Sequence, residues 1–453
     1  MRSCPVNNRF KVPIMVRILY WLFVFFSFVF CIELIRRNLS PYFPHDWPNA
    51  HENDILTNWK VARLSKLGIN PYTSTGLAML GQGQVGQPPT MSFWYLPFVD
   101  LPKAAAAEIS SLSLLALLFP HYYLCAKELR WPAPIAIGAI ATSLVISTDW
   151  LAYHYNVIQC SEQIAFLYLL AWMFLRRGID ATAGICIGVA MTLKLFPGLM
   201  LIMLFAGRRW RGVATATLTY AVVAITMTLK FGFSAWLLFL EQEKPVTEGW
   251  LGSLQNSSLS GLVAQILFPV CEVDPHPSKT GSMITAIVSV ILVAAAIWFS
   301  RHNFRRARQV DRRAIDLPFA LFVTLSVFLN PFAWEHYYAM VMQPLFILTT
   351  LLWHTFRATL RRWSDRACTT VSFVYTSLFT AVSVATLAFV LIALSRDIWS
   401  NYRHIEVWKR APLSVFHWHF HYIQIQNFAP WVASLMLCFA LQARRNRTGL
   451  TTT

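Results

Sequence analysis

The chain is divided into apolar runs, many of them about 17–25 residues long, the length at which a helix crosses the hydrocarbon core of a bilayer. Inside lipid every backbone N–H and C=O must find its partner within the segment, and for an isolated run only a helix achieves this. No alternation of apolar and polar residues of the kind a barrel needs is present, and no repeat of solenoid length. Spans are expected near 13–34, 104–126, 133–148, 161–176, 181–193, 196–206, 213–231, 282–300, 315–329, 337–355, 371–394 and 428–442. With 56% hydrophobic and only 13% charged residues, a soluble fold could not hide the apolar surface. The fold class is therefore an all-α polytopic membrane protein of about 10–12 transmembrane helices, read as one domain over residues 1–453. The first run, Val12 to Leu34, is long and aromatic and is read as a retained span. The eight cysteines are scattered, several within apolar runs, as core fillers are.

A net charge of +17 invites a nucleic-acid reading, but the distribution of the basic residues speaks against it. Segments 1–12, 127–132, 176–180, 207–212, 301–313, 357–366 and 443–453 hold most of the 38 lysines and arginines. Their only acids are Glu128, Asp180, Asp311 and Asp365. Short basic loops of this kind stay in the cytoplasm, so both termini are expected there, which requires an even number of spans. The two short runs at 181–206 meet at Lys194-Leu-Phe-Pro197, so this region either crosses twice or is a re-entrant hairpin. The longer loops 35–103, 149–160, 232–281, 330–336 and 395–427 lie on the opposite face and are rich in Trp, Tyr, His, Asn and Gln. Part of that enrichment is the ordinary interfacial belt. The chemistry is expected on this side, the periplasmic or extracellular face of a plasma (inner) membrane.

Within the first outer loop, residues 54–67 have the pattern of an amphipathic helix. Ile55, Trp59 and Ala62 share one face, and Lys60, Arg63 and Lys66 run along another. Gly68 and Pro71 end it. Such a helix is expected to lie in the membrane interface with its basic face toward lipid phosphates. Asp54 at its start reads in two compatible ways. It is an N-cap, accepting backbone N–H groups, or it is a general base taking the proton of an attacking hydroxyl at the membrane surface.

Asp54, followed by Gly68-Ile-Asn-Pro-Tyr72, Gln87-Pro-Pro89 and Tyr95-Leu-Pro97, resembles the opening of glycosyltransferase family 87. That family comprises polyprenol-phosphate-mannose-dependent mannosyltransferases of the GT-C class. Gly184, Gly188, Lys194 and Pro197 resemble its glycine-containing helix ending in a Lys–Pro break. Asn256-Ser-Ser-Leu-Ser-Gly261 is similar to its Asn-x-Ser-x-x-Gly loop, and His336-Tyr-Tyr338 with Pro344 to its His-Tyr-Tyr segment. These short motifs extend over residues 50–345. The resemblance implies that Asp54 is the catalytic base and that the donor is a polyprenyl-phosphate sugar, mannose before others. The acceptor would be a lipid or glycan on the outer face, reached with inversion at the anomeric carbon. It implies no nucleotide, no cofactor and no metal. Two positions depart from the family pattern: Asn58 stands where a tyrosine is common, and Tyr155-Asn-Val-Ile-Gln159 where Gly-Gln-x-Asn is frequent. They bear on the sugar and acceptor more than on the reaction.

Lys194 is an ionisable group in apolar surroundings, which points to function. It would neutralise the donor phosphate, or else it is a snorkelling lysine that ends a helix. His336, with Glu335 before it, binds phosphate or pairs with the base, or belongs to an aromatic belt. Asn256 and Gln159 are hydrogen-bonding candidates for sugar or phosphate, and Tyr72 joins them as a substrate-binding candidate. Asn256 also reads as a loop cap, and Asn256-Ser-Ser as a glycosylation acceptor. His417, His419 and His421 alternate, but with no carboxylate or cysteine nearby they read as a groove wall or plain interface in preference to a metal site. The partners expected are the donor lipid, the acceptor and membrane lipids. A secondary transporter is an alternative, but it would show broken helices in both halves, and one broken pair is found. A polysaccharide polymerase or ligase is another, but paired arginines of the kind it would use are not found in the large outer loops.

Overall fold

In the computed structural model, the residues described are 54–81, 85–131, 133–146, 159–251, 256–267, 279–333 and 337–365, with isolated positions of a helix between 22 and 32. Most of the expected first span, the spans at 371–394 and 428–442, the loop at 395–427 with its three histidines, Glu335 and His336 lie outside them. The described residues are helical with no strand, and the protein is a polytopic membrane protein. The helices are α1 (Asp54–Lys66), α2 (Ser74–Leu80), a 3-10 helix (Pro89–Phe98), α3 (Lys103–Glu128), α4 (Pro134–Ile146), α5 (Ser161–Arg177), α6 (Asp180–Leu193) and α7 (Leu199–Ala206). They continue with α8 (Trp210–Phe231), α9 (Ser234–Trp250), α10 (Leu259–Leu267), α11 (Lys279–Gln309), α12 (Asp316–Phe328) and α13 (Tyr338–Asp365).

Three of these, α3, α8 and α11, are long and apolar enough to cross a membrane, at 26, 22 and 31 residues. On α8 the large apolar residues Leu218, Val222, Ile225 and Leu229 are exposed at helical spacing, whereas Gly212, Ala216, Val223 and Met227 are buried. A face of large exposed apolar groups opposite a buried face that begins with the small Gly212 and Ala216 suits a helix that meets lipid on one side and protein on the other. By contrast, every residue of α12 is buried. A helix apolar all round belongs at the centre of a bundle. Phe319 and Phe322 of α12 are fully buried, as are Tyr168 and Trp172 of α5.

Glycine spacing determines how closely α6 approaches α8. A Cβ added at Gly184 would lie 2.2 Å from the Gly212 carbonyl oxygen, and one at Gly188 would lie 2.6 Å from that of Ala216. Contacts advance in the same direction along both helices, so they run parallel, with small residues letting the backbones touch.

Ionic contacts gather at one end of the bundle. Arg176 pairs with Glu128 at 3.1 Å and with Asp316 at 3.2 Å, joining the ends of α3 and α5 to the start of α12. Trp172 donates to Asp316 at 2.9 Å, and Arg312 donates to the Arg177 carbonyl. Arg209, after α7, pairs with Asp180 at the start of α6 at 3.1 Å. The expected break at 181–206 is therefore a hairpin that leaves this basic end and returns to it. Its first arm has 14 residues, about 21 Å at 1.5 Å per residue, short of a hydrocarbon core of about 30 Å. The turn falls at Lys194, whose backbone is extended (φ −147°, ψ 152°), followed by the 3-10 turn Phe196–Gly198.

Helix α1 ends as its sequence requires. Gly68 takes φ +72°, the Ile69 N–H reaches the Leu64 carbonyl at 2.9 Å, and the Gly68 N–H reaches that of Ser65 at 3.1 Å. This is a Schellman closure. The burial of α1 is wider than a single apolar stripe. Asn58, Ser65, Trp59, Val61, Ala62 and Leu64 are all buried. Its lysines contact protein: Lys60 donates to the Leu80 carbonyl at 3.2 Å, and Lys66 pairs with Asp100 at 2.5 Å. The guanidinium of Arg63 sits over the Trp59 ring at 5.3 Å. So α1 is wedged among α2, the 3-10 helix and α3, and two lysines of the face expected to meet lipid phosphate are held by the chain.

Candidate functional site

Three distant segments meet at the tip of the α6–α7 hairpin. The Lys194 ammonium donates to the Gln159 side-chain oxygen at 2.9 Å and to the Tyr337 hydroxyl at 2.7 Å. Gln159 precedes α5 and Tyr337 precedes α13. Because α5 runs toward the basic end, Gln159 and Lys194 lie at the opposite one. The Lys194 side chain is half-buried, while Gln159 and Tyr337 are buried. Phe196 packs on the Tyr337 ring with centroids 5.3 Å apart. This arrangement holds a primary ammonium at a fixed point, aimed by two neutral oxygens.

The first outer loop is fastened to this tip. The Trp94 indole N–H donates to the Thr192 hydroxyl at 2.8 Å, two residues before Lys194. Trp94 belongs to the 3-10 helix, which is tied in turn to α1, where the Trp59 indole donates to the Phe98 carbonyl at 2.9 Å. Asp54 is the first residue of α1. One turn along, at the i+4 position that shares a helix face, Asn58 is 1% exposed, and its amide nitrogen has no hydrogen-bond acceptor among the described residues.

Tyr72 is 1% exposed, and its hydroxyl donates to the Gln87 carbonyl at 2.7 Å. Its own carbonyl accepts from the Gln242 side chain at 2.6 Å, and its ring meets Phe239 edge-on. Asn70 accepts from the Tyr72 N–H at 3.0 Å and donates to the Phe231 carbonyl at 3.3 Å. The Asn-Pro-Tyr motif thus latches the loop to the far end of α8. Burial pushes the Tyr72 phenol well above its ordinary value, so it stays a hydrogen-bond donor.

Asn256 is also 1% exposed and spends its amide on backbone. Its oxygen accepts from the Ser258 and Ala333 N–H groups, each at 3.1 Å. Its nitrogen donates to the Pro331 carbonyl at 3.0 Å and the Leu251 carbonyl at 3.2 Å. This is the loop-cap geometry, and it fixes the link 331–333 that leads to Tyr337. Gly261 is required beside it, because a Cβ there would lie 2.4 Å from the Asn256 carbonyl oxygen.

Two features were not singled out from the sequence. Tyr337 stands inside the His336-Tyr-Tyr338 motif, beside the candidates Glu335 and His336. His121 of α3 and Glu162, in the first turn of α5, form a pair at 2.8 Å with 0% and 2% exposure. The rule that flags Lys194, an ionisable side chain within an apolar run, would have found both.

The described residues thus bring an ammonium, an amide and a phenol together at one end of a helical membrane bundle. Residues 87–329 match the family model for glycosyltransferase family 87. The match covers more than half of the chain, and the protein belongs to that family: it is a membrane glycosyltransferase, acting on a sugar donor and an acceptor. No curated protein matches the sequence significantly.

Proposed function

We propose that this glycosyltransferase moves a sugar, mannose first among candidates, from a polyprenyl phosphate to a lipid or glycan acceptor outside the plasma membrane. The observation that carries this reading is the Lys194 ammonium at the hairpin tip, aimed by Gln159 and Tyr337. An ammonium there suits a phosphate that gains charge as the glycosidic bond breaks. In this reading Asp54 takes the proton of the acceptor hydroxyl, its oxygen attacks the anomeric carbon from the face opposite the phosphate, and the polyprenyl phosphate departs with its electron pair. One displacement inverts the centre, so a β-linked donor yields an α-linked product. His336 is assigned a second contact to the phosphate, with Glu335 beside it.

The same reading gives Tyr72 and Asn256 the role of bracing the loops that carry Asp54 and His336. The bundle is the GT-C type. The basic end faces the cytoplasm by the rule for short basic loops, which gives the Lys194 end an outward orientation. Proteoliposomes holding purified protein and radiolabelled polyprenyl-phosphate mannose test the donor. Transfer of label to an acceptor in the absence of nucleotide sugar supports the reading. Transfer from a nucleotide sugar alone, or uptake of sugar without transfer, overturns it.

A further inference from the structure

Far from Lys194, at the basic end, lies a cleft of about 520 Å³ between α7 and α11. Arg208, Arg301, Arg305 and Arg308 line it together with the apolar Ile297 and Phe304. The four arginines are exposed, and none pairs with a carboxylate among the described residues. This differs from Arg176 and Arg209 nearby, which are spent on Glu128, Asp316 and Asp180. Arg308 donates to the Gly207 carbonyl at 3.3 Å. Arg208 holds φ +51° in the turn that closes α7, a conformation that disfavours a side chain. It is the left-handed residue of a Schellman closure, in which the Arg209 N–H reaches the Leu204 carbonyl at 2.9 Å and the Arg208 N–H reaches that of Phe205 at 2.8 Å.

The surroundings say what kind of ligand fits. Trp298 is exposed, with the Arg301 guanidinium 3.5 Å over its ring. Phe205 and Trp210 are also exposed and meet edge-on with centroids 4.9 Å apart. Exposed aromatic rings beside cations mark the headgroup level of a bilayer. Guanidinium groups bind phosphate through paired hydrogen bonds, and basic clefts between helices at this level take anionic lipid headgroups. An apolar wall beneath the charges suits the start of an acyl chain and has no counterpart in a soluble anion.

We propose that this cleft is a binding site for the phosphate headgroup of an anionic membrane lipid. The site is separate from the sugar-transfer reading and does not depend on it. The test uses full-length protein in detergent, stripped of lipid. Retention of phosphatidylglycerol, of phosphatidylcholine and of free glycerol phosphate is compared by native mass spectrometry and thermal unfolding. Phosphatidylglycerol is expected to be retained about tenfold better than phosphatidylcholine, and the variant Arg301→Gln/Arg305→Gln/Arg308→Gln is expected to lose about tenfold of that retention. Arg211→Gln/Arg313→Gln, altered at the same end but outside the cleft, is expected to keep it. If the triple variant does not fold, Arg305→Gln alone is read, and an about threefold loss is expected. Equal retention in parent and cleft variants overturns the site. Protection by glycerol phosphate as strong as that by the lipid overturns the lipid assignment.

Discussion

The indole N–H of Trp94 donates to the hydroxyl of Thr192 at 2.8 Å, joining residues 98 positions apart. This bond couples the outer loop that carries Asp54 to the hairpin whose tip is Lys194. Replacing Trp94 with Phe keeps much of the apolar area and removes the donor. A lost hydrogen bond of this kind costs about 1 kcal/mol of stability. Under the proposed reaction, the same change loosens the registry between base and phosphate site. Turnover is expected to fall about tenfold or more, since small misplacements of reacting groups are costly. Steady-state transfer alongside thermal unfolding separates the two effects.

Lys194→Ala removes the ammonium and is expected to lower kcat/KM about 100-fold or more, the scale for losing a group that stabilises transition-state charge. Lys194→Arg keeps the charge with a different reach and is expected to recover part of the rate. If the lysine merely ends a helix, Ala and Arg will behave alike and close to the parent.

Gly188→Ala drives a methyl group into the α8 backbone, 2.6 Å from the Ala216 carbonyl oxygen. A parallel pair this close has no room to yield, and overpacking of this sort costs about 1–3 kcal/mol. The variant is expected to unfold at lower temperature in detergent. An unchanged midpoint would show that α6 and α8 are further apart.

The Tyr72 phenol, pushed up by burial from an ordinary value of 10.0, stays protonated in the fold at a pH where the unfolded chain has ionised. A raised folded-state value contributes stability that is fully present below pH 10 and is lost as pH climbs above it. Tyr72→Phe is therefore expected to be less stable than the parent near neutrality, by about 1 kcal/mol for the bond to Gln87. It is also expected to lose stability less steeply above pH 10. Parallel alkaline slopes in unfolding titrations of the two proteins would contradict this.

Helix positions were legible because lipid leaves an apolar run one choice, and the expected bounds of α3, α5, α6 and α8 lie within a few residues of the observed ones. The break at Lys194-Leu-Phe-Pro197 was legible from proline and from the cations at 207–212, but its sense was not. Only the pairing of Arg209 with Asp180 makes it a hairpin closed at one end. The surroundings of α1 were less legible, because periodicity gives a face and not what covers it. Lys66 meets Asp100, 34 residues away, and Lys60 meets the Leu80 carbonyl. Asn256 illustrates the same limit. An amide in a polar loop reads equally as a ligand for sugar or as a cap, and only the four bonds to Leu251, Ser258, Pro331 and Ala333 show where its capacity goes. Tyr337 was not legible, because a tyrosine in an aromatic segment carries no charge that sets it apart from its neighbours.

The proposed chemistry turns on the carboxylate at position 54, and Asp54→Asn tests it most directly. The substitution keeps size and helix-capping capacity and removes the basic oxygen. With purified protein and labelled polyprenyl-phosphate mannose, the rate of sugar transfer is expected to fall by about 100- to 10,000-fold, the range for losing a general base, with folding and donor binding retained. Turnover within a few-fold of the parent would contradict the assignment of Asp54 as the base.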